Sequence, residues 1–204
     1  LLKDNNLSMV SISAPFEELR DNPKNVVERA KGYGAKYAVC FWIPHKDTIF
    51  TIADTKMAVD VFNKAGKLLK NEGITLAYHA HGYEFRPYKD GTLFDYMASH
   101  SMNFSFEMDV YWVKQGGVDP INLLRKYPKE FVLLHLKDRA LGTPGNLNGQ
   151  SDVETNVVLG NGDIDIKGIV AEANKLGIPY MFIEDESSRS VSQIPKSLEY
   201  LKNF

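Results

Sequence analysis

The stretch Tyr37-Ala38-Val39-Cys40-Phe41-Trp42-Ile43-Pro44 is almost unbroken apolar sequence. A strand with one wet face alternates apolar and polar residues. A continuous run of this length instead signals a strand buried on both faces, the condition of strands in a parallel sheet. The next segment of the chain agrees with that reading. From about residue 55 to 71 the apolar positions Val59, Phe62, Ala65, Leu68 and Leu69 recur at helical spacing, and Glu72-Gly73 closes the helix.

The same strand-then-helix unit repeats in both directions. Upstream, residues 7–14 read as a strand ended by Pro15, followed by a helix with Val26, Val27 and Ala30 on one face that stops between Gly32 and Gly34. Downstream, strands are expected at 74–81, 104–112, 131–137, 157–159 and 180–184, and helices at 93–99, 121–126, 166–176 and 191–202. Asp119-Pro120 opens one of these helices as an N-cap with proline at the first helical position, and Gly177 closes another. A loop rich in Gly, Asn, Pro and Ser runs from 140 to 154.

Alternation at this rhythm defines a parallel α/β architecture, either an open doubly wound sheet or a closed barrel. A doubly wound nucleotide fold calls for a glycine-rich phosphate loop after a strand. Gly160-Asn161-Gly162 lacks the third glycine and the helix that such a loop opens. The chain begins Leu1-Leu2-Lys3-Asp4-Asn5-Asn6-Leu7, which reads as the last turn of a helix and its exit. Seven strands here and one expected before residue 1 make eight, so the expectation is a TIM (β/α)8 barrel lacking its first strand and helix, in a single domain over 1–204. The sheet edge beside residues 7–14 then needs cover, for which another chain is a candidate.

Composition narrows the function. A net charge of −2 and a pI near 6.2 over 204 residues give no electrostatic footprint for nucleic acid. The apolar runs are too short to span a bilayer. The single cysteine, Cys40, forms no internal disulfide and sits inside a strand, so an inert buried thiol is expected. Absence of disulfides fits cytoplasm or periplasm alike.

The polar residues gather at the carboxyl ends of the strands, where parallel barrels keep their active sites. These ends read His79-Ala80-His81, Glu107-Met108-Asp109, His135-Leu136-Lys137-Asp138 and Glu184-Asp185-Glu186. Period-two alternation sets His79 with His81, Glu107 with Asp109, and His135 with Lys137 on common faces. Several charges near one axis cost several kcal/mol per ion unless something pairs them. A divalent cation does so, and mixed His/Asp/Glu donors suit Mn²⁺, Zn²⁺, Co²⁺ or Fe²⁺ better than Ca²⁺. His45, after the second strand, is a further candidate for the mouth, and His100 at a helix end is expected in solvent.

These residues carry a resemblance. Ala77-Tyr78-His79-Ala80-His81-Gly82-Tyr83-Glu84-Phe85, Glu107-Met108-Asp109-Val110-Tyr111-Trp112, Leu134-His135-Leu136-Lys137-Asp138 and Gly160-Asn161-Gly162-Asp163-Ile164-Asp165 resemble the sugar phosphate isomerase/epimerase family of xylose isomerase-like TIM barrels. The likeness runs from about residue 7 to the C-terminus. It implies one divalent metal, often Mn²⁺, held by Glu, Asp, His and Glu from separate strands. Asp109, His135 and Glu184 match three of these. His79 stands where many members have the first glutamate, with His81 and Glu84 nearby. Either a histidine replaces that glutamate or Glu84 reaches back from the loop.

The activity so implied is isomerisation or epimerisation of a sugar, by proton abstraction beside a carbonyl with a metal-stabilised enediolate. Glu184 serves as ligand and base, Glu84 or His81 returns the proton, and Lys137 holds a hydroxyl or the oxyanion, unless it is a salt-bridge partner of Asp138 or Glu107. The same apparatus serves a 3-keto-glycoside lyase or hydrolase, or a sugar dehydratase. An endonuclease IV-like phosphodiesterase needs three metals and a basic groove, which five histidines and a charge of −2 argue against. A non-catalytic sugar-binding barrel is the reading from another class. The expected partners are a small-molecule sugar and, separately, further copies of the chain in a homo-oligomer.

Overall fold

The structure, a computed structural model, describes residues 2–204. The chain divides into two compact units, residues 1–79 with 87–106, and residues 80–86 with 107–204. No helix among the described residues is long and apolar enough to cross a membrane.

In the first unit a one-turn 3₁₀ helix, Lys3–Asn5, leads toward β1 (Ser11–Ser13), and Leu1 lies outside the described residues. Strand β1 pairs in parallel with β2 (Tyr37–Cys40), and β2 with β3 (Thr75–His79), in register Val39 opposite Ala77. A short hairpin, β4 (Pro87–Tyr88) with β5 (Gly91–Thr92), precedes the strand β6 (Ser105–Asp109), which begins in this unit next to β3 in the strand order. Among the described residues, β1 has β2 as its one neighbour in that order.

Four helices cover these strands: α1 (Phe16–Asp21), α2 (Pro23–Tyr33), α3 (Ile52–Asn71) and α4 (Leu93–Ser99). Helix α3 starts three residues before the start expected at about 55. A capping box sets its start, in which Thr51 Oγ1 accepts the Asp54 N–H and the Asp54 carboxylate accepts the Thr51 N–H at 2.8 Å. The buried stripe of α3 carries Ala58, Val59, Phe62, Ala65 and Leu69, so the expected helical face is the packed one except at Leu68, which is half-buried. Phe62 is fully buried, with its ring centroid 5.7 Å from Phe16, 5.3 Å from Tyr78 and 5.3 Å from Phe104. Cys40 is buried, and burial pushes its thiol up to about 12; its Sγ–H donates to the Trp42 carbonyl at 3.3 Å.

In the second unit the end of β6 is followed in the strand order by β7 (Phe131–Leu136) and β10 (Tyr180–Ile183). Strands β7 and β10 are parallel, with His135 opposite Phe182, and the ladder continues as Glu184 N–H donates to the Leu136 carbonyl. Helices α5 (Val110–Gln115), α6 (Pro120–Lys126), α7 (Ile166–Leu176) and α8 (Ser190–Leu201) complete the unit. Asp119 caps α6 by accepting the Asn122 N–H, and Gly177 ends α7 at φ 74°, as the sequence signals require.

Two expectations are corrected here. The strand expected over 104–112 stops at Asp109, because the Asp109 carboxylate accepts the N–H groups of Tyr111 and Trp112 and starts α5 there. The sixth strand expected over 157–159 is not part of the parallel sheet. Instead a two-residue β9 (Asn156–Val157) pairs antiparallel with β8 (Asp138–Arg139). Beyond it the buried Asp138 carboxylate gathers the N–H groups of Gly160 and Gly162 at 2.9 Å each and of Ile164 at 3.3 Å, while Leu159 N–H goes to Ser197 Oγ. Those donors serve a clasped turn, so no ladder forms.

Candidate metal centre

The sheet of the second unit sets three donors at the carboxyl ends of successive strands. Asp109 is the last residue of β6, His135 the next-to-last of β7, and Glu184 directly follows β10. Each offers one ligand atom within 4.8 Å of the others'. Division of labour within Asp109 explains its aim. Its Oδ1 holds the first N–H groups of α5, and its Oδ2 stands 3.8 Å from His135 Nδ1. His135 Nδ1 is also 3.2 Å from Glu184 Oε2, and Nε2 on the same ring is 3.4 Å from Glu107 Oε2.

Lys137, two residues beyond His135, has a side chain only 1% exposed. Its ammonium meets Glu184 Oε2 at 3.2 Å and is bonded to Glu186, and it lies 5.3 Å from the Tyr111 ring centroid and 5.9 Å from that of Trp112. The Tyr111 hydroxyl is tied in turn to the hydroxyls of Ser151 and of Thr155, the latter at 2.7 Å. Lys137 is therefore an ion-pair partner of Glu184 and Glu186 and not of Asp138, whose carboxylate is engaged with backbone N–H groups.

The electrostatics result from this crowding. Burial works against a charged His135, yet the hydrogen bond to Glu184 and the charges of Glu107, Asp109 and Glu184 outweigh it and raise the imidazole from 6.5 to about 9. Lys137 is likewise held above the ordinary lysine value, burial being overcome by Asp109, Glu184 and Glu186. A metal takes a neutral imidazole, so a divalent cation among Asp109, His135 and Glu184 replaces the proton on His135 as the positive charge facing these carboxylates. The donor set of two carboxylates and an imidazole fits a metal.

The other expected residues take different places. His79 ends β3 in the first unit, is 2% exposed, and tilts against the Phe41 ring at 5.3 Å. His81 lies past that strand, in the second unit, with its ring 5.3 Å from Trp112 and near-parallel to Tyr83 at 6.2 Å. Glu84 is fully buried and folds back so that both carboxylate oxygens accept the His81 N–H, at 3.2 and 3.0 Å. His45 Nδ1 lies 2.7 Å from the Ile43 carbonyl, beside Trp42 and Phe50, and His100 is exposed at the end of α4. Sequence reasoning had not singled out Glu186 as the partner of Lys137, or Glu107 as the neighbour of His135 Nε2. The signal for both was the period-two step from Glu184 and from Asp109.

A parallel sheet with side chains at its strand ends that could hold a metal points to an α/β barrel class, and comparison with known proteins specifies the family. The xylose isomerase-like TIM barrel model matches residues 1–204, and the chain belongs to that family. Among solved structures it is similar to a sugar phosphate isomerase/epimerase from Parabacteroides distasonis ATCC 8503, with 24% identity, a TM-score of 0.79, and coverage of 98% of this chain and 72% of that one. It is also similar to the IolI protein with a bound zinc atom, at 15% identity and TM-score 0.75, covering 97% and 76%. A third is the probable 3-DHS dehydratase AsbF from Bacillus anthracis, at 14% identity and TM-score 0.73, covering 98% and 78%. Comparison with curated proteins gives no match.

Proposed function

We propose that this chain is a metal-dependent sugar isomerase or epimerase, a single domain over residues 1–204. The observation that carries the reading is the convergence of Asp109, His135 and Glu184 donors within 4.8 Å at the ends of β6, β7 and β10. His79 is proposed as the fourth ligand, since it is buried at the carboxyl end of its own strand, the position at which the other three stand on theirs. Glu84 is the weaker choice, because its carboxylate is folded onto the His81 amide. Mn²⁺ is the metal proposed first, with Zn²⁺ supported by the zinc-bound IolI structure of the same fold.

When bound, such an ion supplies Lewis-acid charge beside neighbouring sugar oxygens and lowers the cost of negative charge growing next to a carbonyl. The chain's own groups do the rest. Glu184, with its side chain about a third exposed, takes the proton from the carbon beside the carbonyl. Lys137 is fixed by Glu186 and by two aromatic faces, so its ammonium is preorganised to donate to an oxygen that gains charge. His81, stacked on Tyr83 and tilted against Trp112, or Glu84 returns the proton. Elimination of water begins with the same proton abstraction, and the AsbF dehydratase fold supports keeping it as the second reading.

Incubation of the metal-loaded protein with a panel of keto-sugars and glycosides in D₂O tests this directly. Deuterium entering the recovered sugar at the carbon beside the carbonyl is expected. No exchange with any member, or no binding of Mn²⁺, Zn²⁺, Co²⁺ or Fe²⁺ in equilibrium dialysis, overturns the proposal.

A further inference from the structure

Glu107 has no assigned task, yet its carboxylate is almost wholly buried, with a side chain 1% exposed. Burying a carboxylate is costly unless hydrogen bonds or opposite charge compensate it. Its placement shows what such compensation includes. Glu107 stands two residues before Asp109 on β6, so the two carboxylates share a face, and β7 lies next to β6 in the strand order. There the His135 ring has its two nitrogens turned to different carboxylates. Nδ1 is 3.2 Å from Glu184 Oε2 and 3.8 Å from Asp109 Oδ2, whereas Nε2 is 3.4 Å from Glu107 Oε2. The donor cluster of the second unit is built without any Glu107 atom.

A neutral imidazole carries one N–H, and a metal takes the other nitrogen. Which nitrogen is which is decided by the hydrogen bond the ring makes away from the metal. We propose that Glu107 is a positioning residue whose carboxylate accepts the Nε2–H of His135, so that Nδ1 is the nitrogen presented to the metal beside Asp109 and Glu184. The inference rests on the metal-centre reading and adds to it the tautomer and the residue that selects it. A carboxylate at this position also makes the imidazole a stronger donor and resists ring rotation. Loss of such a partner typically lowers metal affinity by roughly 10–100-fold.

The test uses the full chain labelled with ¹⁵N-histidine and loaded with Zn²⁺, which is diamagnetic. Two-bond ¹H–¹⁵N correlation spectra, with His135 assigned by its absence from His135→Asn, report the protonation of each ring nitrogen. The expected result is a proton on Nε2 and Zn²⁺ on Nδ1. Glu107→Ala is expected to weaken Zn²⁺ binding at least tenfold and to mix the two tautomers in metal-free protein at alkaline pH. Glu107→Gln, which keeps the shape and an acceptor oxygen, is expected to retain the Nε2–H form with a smaller loss of affinity.

Zn²⁺ on Nε2, or Zn²⁺ affinity in Glu107→Ala within twofold of the unaltered chain, overturns the proposal. If neither variant folds, the spectrum of the unaltered chain still decides between the nitrogens. If that chain binds no Zn²⁺, the metal centre itself is overturned. In that case an Nε2–H tautomer in the metal-free chain at alkaline pH would still establish the Glu107 contact, and an Nδ1–H tautomer would refute it.

Discussion

Asp109 performs two jobs with two oxygens, and substitution can separate them. Oδ1 accepts the N–H groups of Tyr111 at 2.8 Å and Trp112 at 3.2 Å and so caps α5, while Oδ2 faces His135. Asparagine caps helices about as well as aspartate, so Asp109→Asn retains the α5 start. Asp109→Asn and Asp109→Ala both forfeit the favourable interaction of a negative charge with the helix N-terminus, about 0.3–1 kcal/mol, and the attraction between Asp109 and the cations of His135 and Lys137. Asp109→Ala removes the cap outright, which costs about 1–2 kcal/mol, and leaves two buried N–H groups without that acceptor. For a chain of this size each kcal/mol moves the melting temperature by roughly 2–4 °C. The charge loss is common to both variants, so the cap alone separates them, and alanine is expected to melt roughly 2–8 °C below asparagine. Both variants lose one anionic donor, so both are expected to bind Mn²⁺ at least tenfold more weakly than the unaltered chain. Differential scanning calorimetry and titration calorimetry on the same samples give both numbers. Equal melting of the two variants would refute the cap assignment, and undiminished Mn²⁺ binding by Asp109→Asn would refute the ligand assignment.

Other perturbations have equally definite outcomes. The Cys40 thiol, buried and raised to about 12, is expected to resist iodoacetamide at pH 8 in the folded chain and to react fully in denaturant; fast labelling of the folded chain would contradict its burial. The raised His135 value of about 9 means that metal-free protein holds a stabilising contribution intact below 6.5 and loses it as pH rises through about 9. Denaturant titrations in EDTA should show a decline on the order of 1–3 kcal/mol across that window, absent in His135→Asn. Gly32, inside α2 with nothing within 4 Å of an added Cβ, should gain about 0.5–1 kcal/mol as Gly32→Ala. Gly162→Ala instead places a Cβ 2.2 Å from both the Arg139 carbonyl oxygen and Asp138 Oδ1, and should lose about 1–3 kcal/mol. Similar melting of these two variants would show that the 138–164 clasp is looser than described.

Much of this was legible in the sequence, because burial patterns are local. Continuous apolar runs marked β2, β3 and β7 as parallel strands, 3.6-residue spacing marked α3, and Asp119-Pro120 and Gly177 marked helix ends by rules that operate within a few residues. Asp109, His135 and Glu184 were legible as strand-end donors for the same reason. Their convergence within 4.8 Å depended on the stagger of neighbouring strands, which no single segment encodes. Where local preference and tertiary need disagreed, the structure decided. Val110-Tyr111-Trp112 has strand-forming residues throughout, yet the Asp109 side chain turns it into a helix. The run 157–159 is apolar enough for a strand, yet the Asp138 carboxylate draws the backbone after it into a turn. The partners of Lys137 and of His135 Nε2 lay beyond local reading for the same physical reason. Glu186 is 49 residues from Lys137, and Glu107 is on another strand from His135, so only strand order and register bring these side chains together.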